Sequence, residues 1–381
     1  MPRKVISVLK EIRANERRVI LAPGAVADLV RAGFAVHVEA GAGALSCHDD
    51  GAYAAAGARI VDTAAAWSTA DLVLKYKAPE PSEWRHFRPG LALACYLHAE
   101  GNLPLAEALR AASVRSYAIE FLRTDQGAFP VSVPDSEISG KLAVLLGAYH
   151  LQTSQKGRGV LLARMAGVSP PKVVVIGYGN AGGAAAQLAA AMGADVTVFG
   201  TSRVGLRRFQ ALAADNVCCM IQERGAFEQA VLEADLVIGA VLISTYDTPA
   251  LMDEALVRRM KPGAVIVDVT CGYGAGYMPT FDRLTTHDSP VYERFGVLHC
   301  KIDAMPASVH LTATEAMSTT ALPYVLALAE DIFCGKSDGV SRAGLVTADG
   351  AVRHPEILRH IELERARTGT PRRTEKEEAS A

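Results

Sequence analysis

The stretch from Lys172 to Arg203, KVVVIGYGNAGGAAAQLAAAMGADVTVFGTSR, reads as a strand, a glycine turn, a helix and a second strand without interruption, and it sets the class of fold the chain must serve. Val173 to Ile176 form a β-branched run with no polar face, as a central parallel strand covered on both sides requires. Gly177, Gly179 and Gly182 follow as G-x-G-x-x-G. The first glycine permits the tight turn, the second lets a pyrophosphate approach the backbone, and the third lets the helix pack close to the strand. The helix start, at Asn180 and Ala181, offers unbonded N–H groups and the positive end of its dipole to phosphates. By itself the motif is weak. Its weight comes from the preceding strand, the Ala-rich helix and the return strand Asp195 to Phe199.

The end of the return strand decides which dinucleotide is expected. An Asp or Glu there accepts from a ribose 2′-OH, whereas a 2′-phosphate needs that carboxylate gone and hydroxyls or cations in its place. The chain has Gly200, Thr201, Ser202 and Arg203 at this point, with Arg207 and Arg208 beyond. This favours NADP(H) over NAD(H).

At 381 residues the chain exceeds what one hydrophobic core usually serves, so two domains are expected. Its 39 Lys and Arg against 41 Asp and Glu leave it near neutrality, which argues against nucleic acid or an anionic membrane as partner. Apolar runs are broken by Gly, charge or turn signals well short of the ~20 residues a membrane span needs. The start, MPRKVISVLKEIR, lacks the apolar region of a secretory signal. Seven cysteines include no C-x-x-C pair and no His at metal-ligand spacing, so no metal site is expected and a reducing cytoplasm is the economical setting.

Before the glycine unit, Val5–Leu9, Phe34–Glu39, Ala58–Val61, Ala70–Lys77, Leu91–Leu97 and Val114–Phe121 read as strands alternating with helices, the first of them about Pro23–Arg31. That alternation predicts a second parallel sheet. A helix over Ser136–Gln152 is expected to cross between the domains. Ala234–Leu242, Ala264–Thr270 and Val297–Ile302 continue the nucleotide sheet, and Ser308–Asp331 reads as a helix interrupted at Pro323 that returns the chain to the first domain. The last nineteen residues, 363–381, are charge-rich and nearly free of aliphatics, which predicts disorder.

KEIRANERRVILAP, VEAGAG, ADLVLKYKAPEP, YLHAE, GRGVLL, the glycine unit, ADLVIGAVLI, MKPGAVIVDV, TTHDSPVY and ALPYVLALAE, in that order, resemble the alanine dehydrogenase and nicotinamide nucleotide transhydrogenase alpha-subunit family over residues 1 to about 335. The resemblance implies an α/β chain of two Rossmann-like doubly wound parallel-sheet domains, with a dinucleotide domain (135–304) inserted in a discontinuous substrate domain (1–134 and 305–381). It also implies a homo-oligomer, and an amino acid, 2-oxo acid or imine as the small-molecule substrate. Carried over residue by residue, the arginine that pairs with the substrate carboxylate matches Arg18, a role suited to a planar guanidinium. The pocket lysine matches Lys77, at a strand's C-terminal end where α/β sheets bind ligands. Lys75, two residues earlier and on the same face by strand periodicity, is the alternative. The catalytic histidine matches His98, whose pKa range suits proton exchange with an amine or carbinolamine. Glu120, Ser136 and Glu137 match further positions near the site. Ser136, Val241 and Leu242 fall on the cofactor side and Met305 on the substrate side.

The chain also departs from the pattern. Gly272 stands where the family has an acid, Ala304 replaces an Asn before Met-Pro, and Asp135 replaces an apolar pocket residue. Asp135 or Asp303 can have taken over proton transfer, or can recognise a larger or basic substrate, since a buried carboxylate needs a partner. Asp135 is equally explained as a helix cap. The expected activity is an NADP(H)-dependent amino acid dehydrogenase of the alanine dehydrogenase type. Formation of an opine-type secondary amine or reduction of a cyclic imine is the alternative among enzymes, and a dinucleotide-binding regulator without turnover is the alternative from another class.

Overall fold

The computed structural model describes residues 4–124, 126–241, 249–270, 276–335 and 339–368. The chain divides into two compact units, 1–132 with 309–381, and 133–308.

In the first unit the chain runs β1 (Val5–Val8), α1 (Pro23–Arg31), β2 (Ala35–Glu39), α2 (Asp50–Ala55), β3 (Arg59–Val61), α3 (Thr63–Ser68), β4 (Leu72–Lys77), β5 (Ala92–Tyr96), α4 (Leu103–Ala111) and β6 (Arg115–Ala118). The second unit contains α5 (Val133–His150), β7 (Lys172–Ile176), α6 (Asn180–Ala191), β8 (Asp195–Gly200), α7 (Arg203–Gln210), β9 (Val217–Ile221), α8 (Arg224–Glu233), β10 (Leu236–Gly239), α9 (Glu254–Val257), β11 (Val265–Asp268), β12 (Tyr292–Arg294) and β13 (Val297–Cys300). The chain then rejoins the first unit as α10 (His310–Cys334), α11 (Gly339–Gly344), β14 (Leu345–Ala348), β15 (Ala351–Val352) and α12 (Pro355–Thr368).

The second sheet is ordered β12-β13-β11-β10-β7-β8-β9, parallel except for β12. Its parallel strands have the doubly wound order 3-2-1-4-5-6, with the direction of winding switching between β7 and β10, so ligands are expected beyond the C-terminal ends of those strands. The first sheet, β15-β14-β6-β5-β4-β1-β2-β3, repeats that order, switches between β1 and β4, and adds two antiparallel edge strands from the end of the chain. In both units apolar residues cover the two faces of the sheet: Leu74, Tyr76 and Tyr96 on one face of the first, Val73, Leu93 and Cys95 on the other. No helix among the described residues is long and apolar enough to cross a membrane.

Two sequence expectations need correction. Helix α10 runs through Pro323 without a break. Ala313, Met317, Ala321, Val325 and Leu328 are buried on both sides of the proline, so packing outweighs the lost backbone hydrogen bond. The tail expected to be disordered from 363 is helical to 368, because α12 anchors Ile357 and His360 in the first unit and leaves Leu363 to Arg365 half-buried. Residues 369–381 lie outside the described part.

Candidate active site

In the second unit β7 ends in the glycine turn. Gly177 takes φ +100°, and a Cβ on it would lie 2.3 Å from the Ala240 carbonyl oxygen. A Cβ on Gly182 would lie 2.1 Å from the Gly177 carbonyl oxygen, so only glycine lets α6 close onto the turn. Gly179 differs. It is the exposed N-cap of α6 with no side-chain acceptor, and a Cβ there would meet nothing within 4 Å. The cradle is therefore shut against the protein at Gly177 and Gly182 and open outward at Gly179, beside the unbonded first N–H groups of α6 at Asn180 and Ala181. These features fit a dinucleotide pyrophosphate.

At the end of β8, Thr201, Ser202 and Arg203 are exposed, and Ser202 Oγ caps α7 by accepting from Gly205 N–H at 3.2 Å. Ser136 and Asp135 are half-buried in the first turn of α5, where a carboxylate is favoured by the helix dipole. Val241 N–H donates to Thr270 Oγ1 at 3.3 Å. Leu242, Cys271 and Gly272 lie outside the described residues. Asp303 is exposed, whereas Met305 is 3% exposed and packs into the core of the second unit with Leu298 and Ile302.

Sequence reasoning missed a buried polar network beside this turn. Asp268, at the end of β11, receives Lys301 Nζ at 2.6 Å, Tyr277 Oη at 2.9 Å and Thr270 N–H at 3.0 Å. Tyr277 is pushed well above its usual pKa by burial and by the Asp268 charge, so it stays a donor. Lys301 and Asp268 are 33 residues apart. Only the parallel pairing of β11 with β13 brings them together.

In the first unit the candidates gather at the C-terminal ends of β4 and β5. Lys77 Nζ lies 5.3 Å from the centre of the Tyr96 ring, and the His98 imidazole stacks on that ring at 5.7 Å and 15°. Tyr76 stacks on Tyr96 at 5.9 Å, and the Arg18 guanidinium lies 4.0 Å over Tyr76. Arg18, Lys77 and His98 are thus joined through two tyrosines that no sequence signal singles out.

His98 has φ +44°, an unfavourable backbone conformation for a residue with a side chain, held by hydrogen bonds. Glu120 accepts from His98 N–H at 2.7 Å and Leu97 N–H at 3.3 Å. His98 Nδ1 lies 3.7 Å from Glu100 and 4.0 Å from Glu120, which turns its other nitrogen away from these carboxylates. Burial raises Glu120 from its ordinary value, against the pull of His98. Burial acts on Glu100 in the same direction, but the hydrogen bond and charge of His98 outweigh it and lower Glu100 overall. The two carboxyls beside one imidazole therefore differ in proton affinity.

Lys75 is not interchangeable with Lys77. The β4–β5 register shifts between Leu74 and Lys77, so counting by twos does not carry across that interval. Lys75 reaches Glu83 at 2.8 Å, Glu11 at 3.6 Å and the Lys10 carbonyl at 3.3 Å, and is fully buried. Burial pushes Glu11 up to about 7, and the charges of Glu11 and Glu83 raise Lys75 in spite of its own desolvation. Arg18 also has a partner the sequence did not suggest. Its Nε and Nη2 grip Glu16 at 2.7 and 2.6 Å, and both side chains are buried. Burial alone would raise Glu16, but its bonds to Arg18 bring it below the ordinary value.

Comparison with known proteins decides the family. Residues 7–139 match the model of the alanine dehydrogenase/PNT N-terminal domain, and 143–355 that of its C-terminal domain. The chain belongs to the alanine dehydrogenase/PNT family. It is 40% identical to the alanine dehydrogenase of Mycolicibacterium smegmatis over 363 residues, 94% of this chain and 97% of that one. Identity to the Bacillus subtilis alanine dehydrogenase is also 40%, over 94% of this chain and 95% of the relative. Among solved structures, an L-alanine dehydrogenase superposes with a TM-score of 0.86 at 36% identity, over 94% of this chain and 99% of the other. Two Rossmann-like domains of mostly parallel sheet and the binding of a nicotinamide dinucleotide come with the family.

Proposed function

We propose that this chain is an amino acid dehydrogenase of the alanine dehydrogenase type that interconverts a small 2-amino acid with its 2-oxo acid and ammonia, using NADP(H) in preference to NAD(H). One observation carries the reading most directly: a lysine and an imidazole gather around one tyrosine ring at a sheet's C-terminal edge, in a chain 40% identical to alanine dehydrogenases almost end to end.

When bound, the nicotinamide supplies or takes up the hydride. The chain's residues do the rest. Lys77 polarises the substrate carbonyl and carries the charge of its carboxylate. Arg18 pairs with that carboxylate, with its guanidinium plane fixed by Glu16 and Tyr76. His98, with Nδ1 toward the carboxylates, exchanges protons with the amine or the carbinolamine oxygen through its other nitrogen. Glu120 holds the strained backbone that aims the ring. Asp135 is the candidate for the second proton carrier that Gly272 cannot be. The turn at Gly177, Gly179, Asn180, Ala181 and Gly182 holds the pyrophosphate, with Ser136 and Val241 beside the dinucleotide. Thr201, Ser202 and Arg203 receive the 2′-phosphate. We place the protein in the cytoplasm as a homo-oligomer, supported by its sequence character and its family.

Replacement of the acid by Gly272 favours a second reading in which a preformed imine is the substrate. One assay separates the readings: NADPH oxidation with 2-oxo acids plus ammonia, with 2-oxo acids plus primary amines, and with cyclic imines. Turnover of pyruvate plus ammonia supports the first reading, whereas activity confined to preformed imines supports the second. Dinucleotide binding without turnover of any substrate refutes both.

A further inference from the structure

Two glycines at the ribose end of the dinucleotide site are explained by a side chain. Neither Gly200 nor Gly205 has a positive φ, so the backbone does not demand glycine at either position. A Cβ on Gly200 would lie 2.3 Å from Tyr178 Cε1 and 2.6 Å from its Cδ1. A Cβ on Gly205 would lie 2.2 Å from Tyr178 Oη and 2.8 Å from its Cε2 and Cζ. The two glycines thus face opposite edges of one phenol ring, which fills the notch between the end of β8 and the first turn of α7. Phe209 backs the ring with centroids 6.3 Å apart, and Leu206 also borders the notch. Tyr178 is the second residue of the glycine motif, and it remains half-buried.

We infer that Tyr178 is a specificity-determining residue: its ring occupies the space of a carboxylate at position 200 and so keeps an acid away from the ribose 2′ position. An acid at the end of β8 would accept from a ribose 2′-OH and repel a 2′-phosphate. Here the ring excludes that acid sterically, which leaves Thr201, Ser202 and Arg203 to meet the ribose. Conversion toward NADH therefore requires two changes, because Gly200→Asp alone drives its side chain into the ring. The inference rests on the dinucleotide site assigned above, but it does not depend on which cofactor the unaltered protein prefers.

The test measures dissociation constants for NADPH and NADH by cofactor fluorescence, with thermal unfolding alongside, for the unaltered protein, Gly200→Asp, Tyr178→Ala and the double variant. Gly200→Asp is expected to lower the melting temperature without tightening NADH binding. Adding Tyr178→Ala is expected to restore the melting temperature and tighten NADH binding roughly tenfold over the unaltered protein, the effect of one charged hydrogen bond. A Gly200→Asp variant that is fully stable and binds NADH as tightly as the double variant overturns the inference. So does a double variant with no gain in NADH affinity. Equal binding of both cofactors by the unaltered protein refutes the NADP(H) preference, while the comparison of Gly200→Asp with the double variant still decides the role of Tyr178.

Discussion

Replacing Arg18 with Met is expected to act first on the fold and only then on the substrate. The guanidinium and the Glu16 carboxylate are both buried and joined by two short hydrogen bonds, so Arg18→Met leaves a buried anion without its partner. Removing one member of a buried pair costs about 3–5 kcal/mol, a large part of a typical domain's stability. The pH dependence gives the cause away. In the unaltered protein Glu16 titrates below its unfolded value, so the pair's contribution is present above that value and lost as pH falls through the lowered folded pKa. In Arg18→Met, burial is opposed by the backbone N–H of position 18, which still donates to Glu16 at 3.0 Å, and then by the Lys77 charge. With the guanidinium gone, the folded pKa is expected to rise above the unfolded value of about 4.3. The variant's deficit should therefore shrink as the pH is lowered toward that value. Urea unfolding followed by circular dichroism at about pH 5 and about pH 8 measures this, with Arg18→Met/Glu16→Gln as the companion that removes the stranded charge. The double variant should recover most of the stability yet keep a raised KM for the 2-oxo acid and an unchanged dinucleotide Kd. Undiminished stability of Arg18→Met would refute the argument from the buried pair, and a normal KM in the double variant would reduce Arg18 to a scaffold.

Two further predictions are independent of that one. His98→Asn, chosen because Asn tolerates the positive φ of this position, should lower kcat by about 10²- to 10⁴-fold with little change in melting temperature, and near-normal turnover would remove His98 from proton transfer. His150 is 3% exposed, neither of its ring nitrogens has a hydrogen-bond partner among the described residues, and burial lowers its pKa. Its contribution is therefore complete above the unfolded value of roughly 6.5 and lost as pH falls below it. His150→Leu should remove part of the protein's loss of melting temperature between about pH 8 and pH 5, and an unchanged pH profile would show that the ring titrates normally.

The sequence by itself determined that there are two parallel sheets, the glycine turn, and the positions of most strands to within a residue or two, because these depend on local signals: β-branched runs, glycine spacing and helix starts. The doubly wound order of the sheets came only through the family resemblance. Helix α1 was predicted at its observed bounds, Pro23–Arg31. It also offered Arg18, Lys77 and His98 as candidates through a family resemblance. What it could not determine was what those side chains touch. Glu16 grips Arg18 from two residues away, Lys75 turns from Lys77 at a register shift, and Glu100 and Glu120 flank His98 at the edge of the sheet. Each depends on how side chains of loops and strand ends are placed in space, where hydrophobic periodicity carries no information. The same holds for Gly200, whose lack of a carboxylate was plain in the sequence. Its cause, the Tyr178 ring 22 positions earlier, appears only once β7, β8 and α7 are packed together.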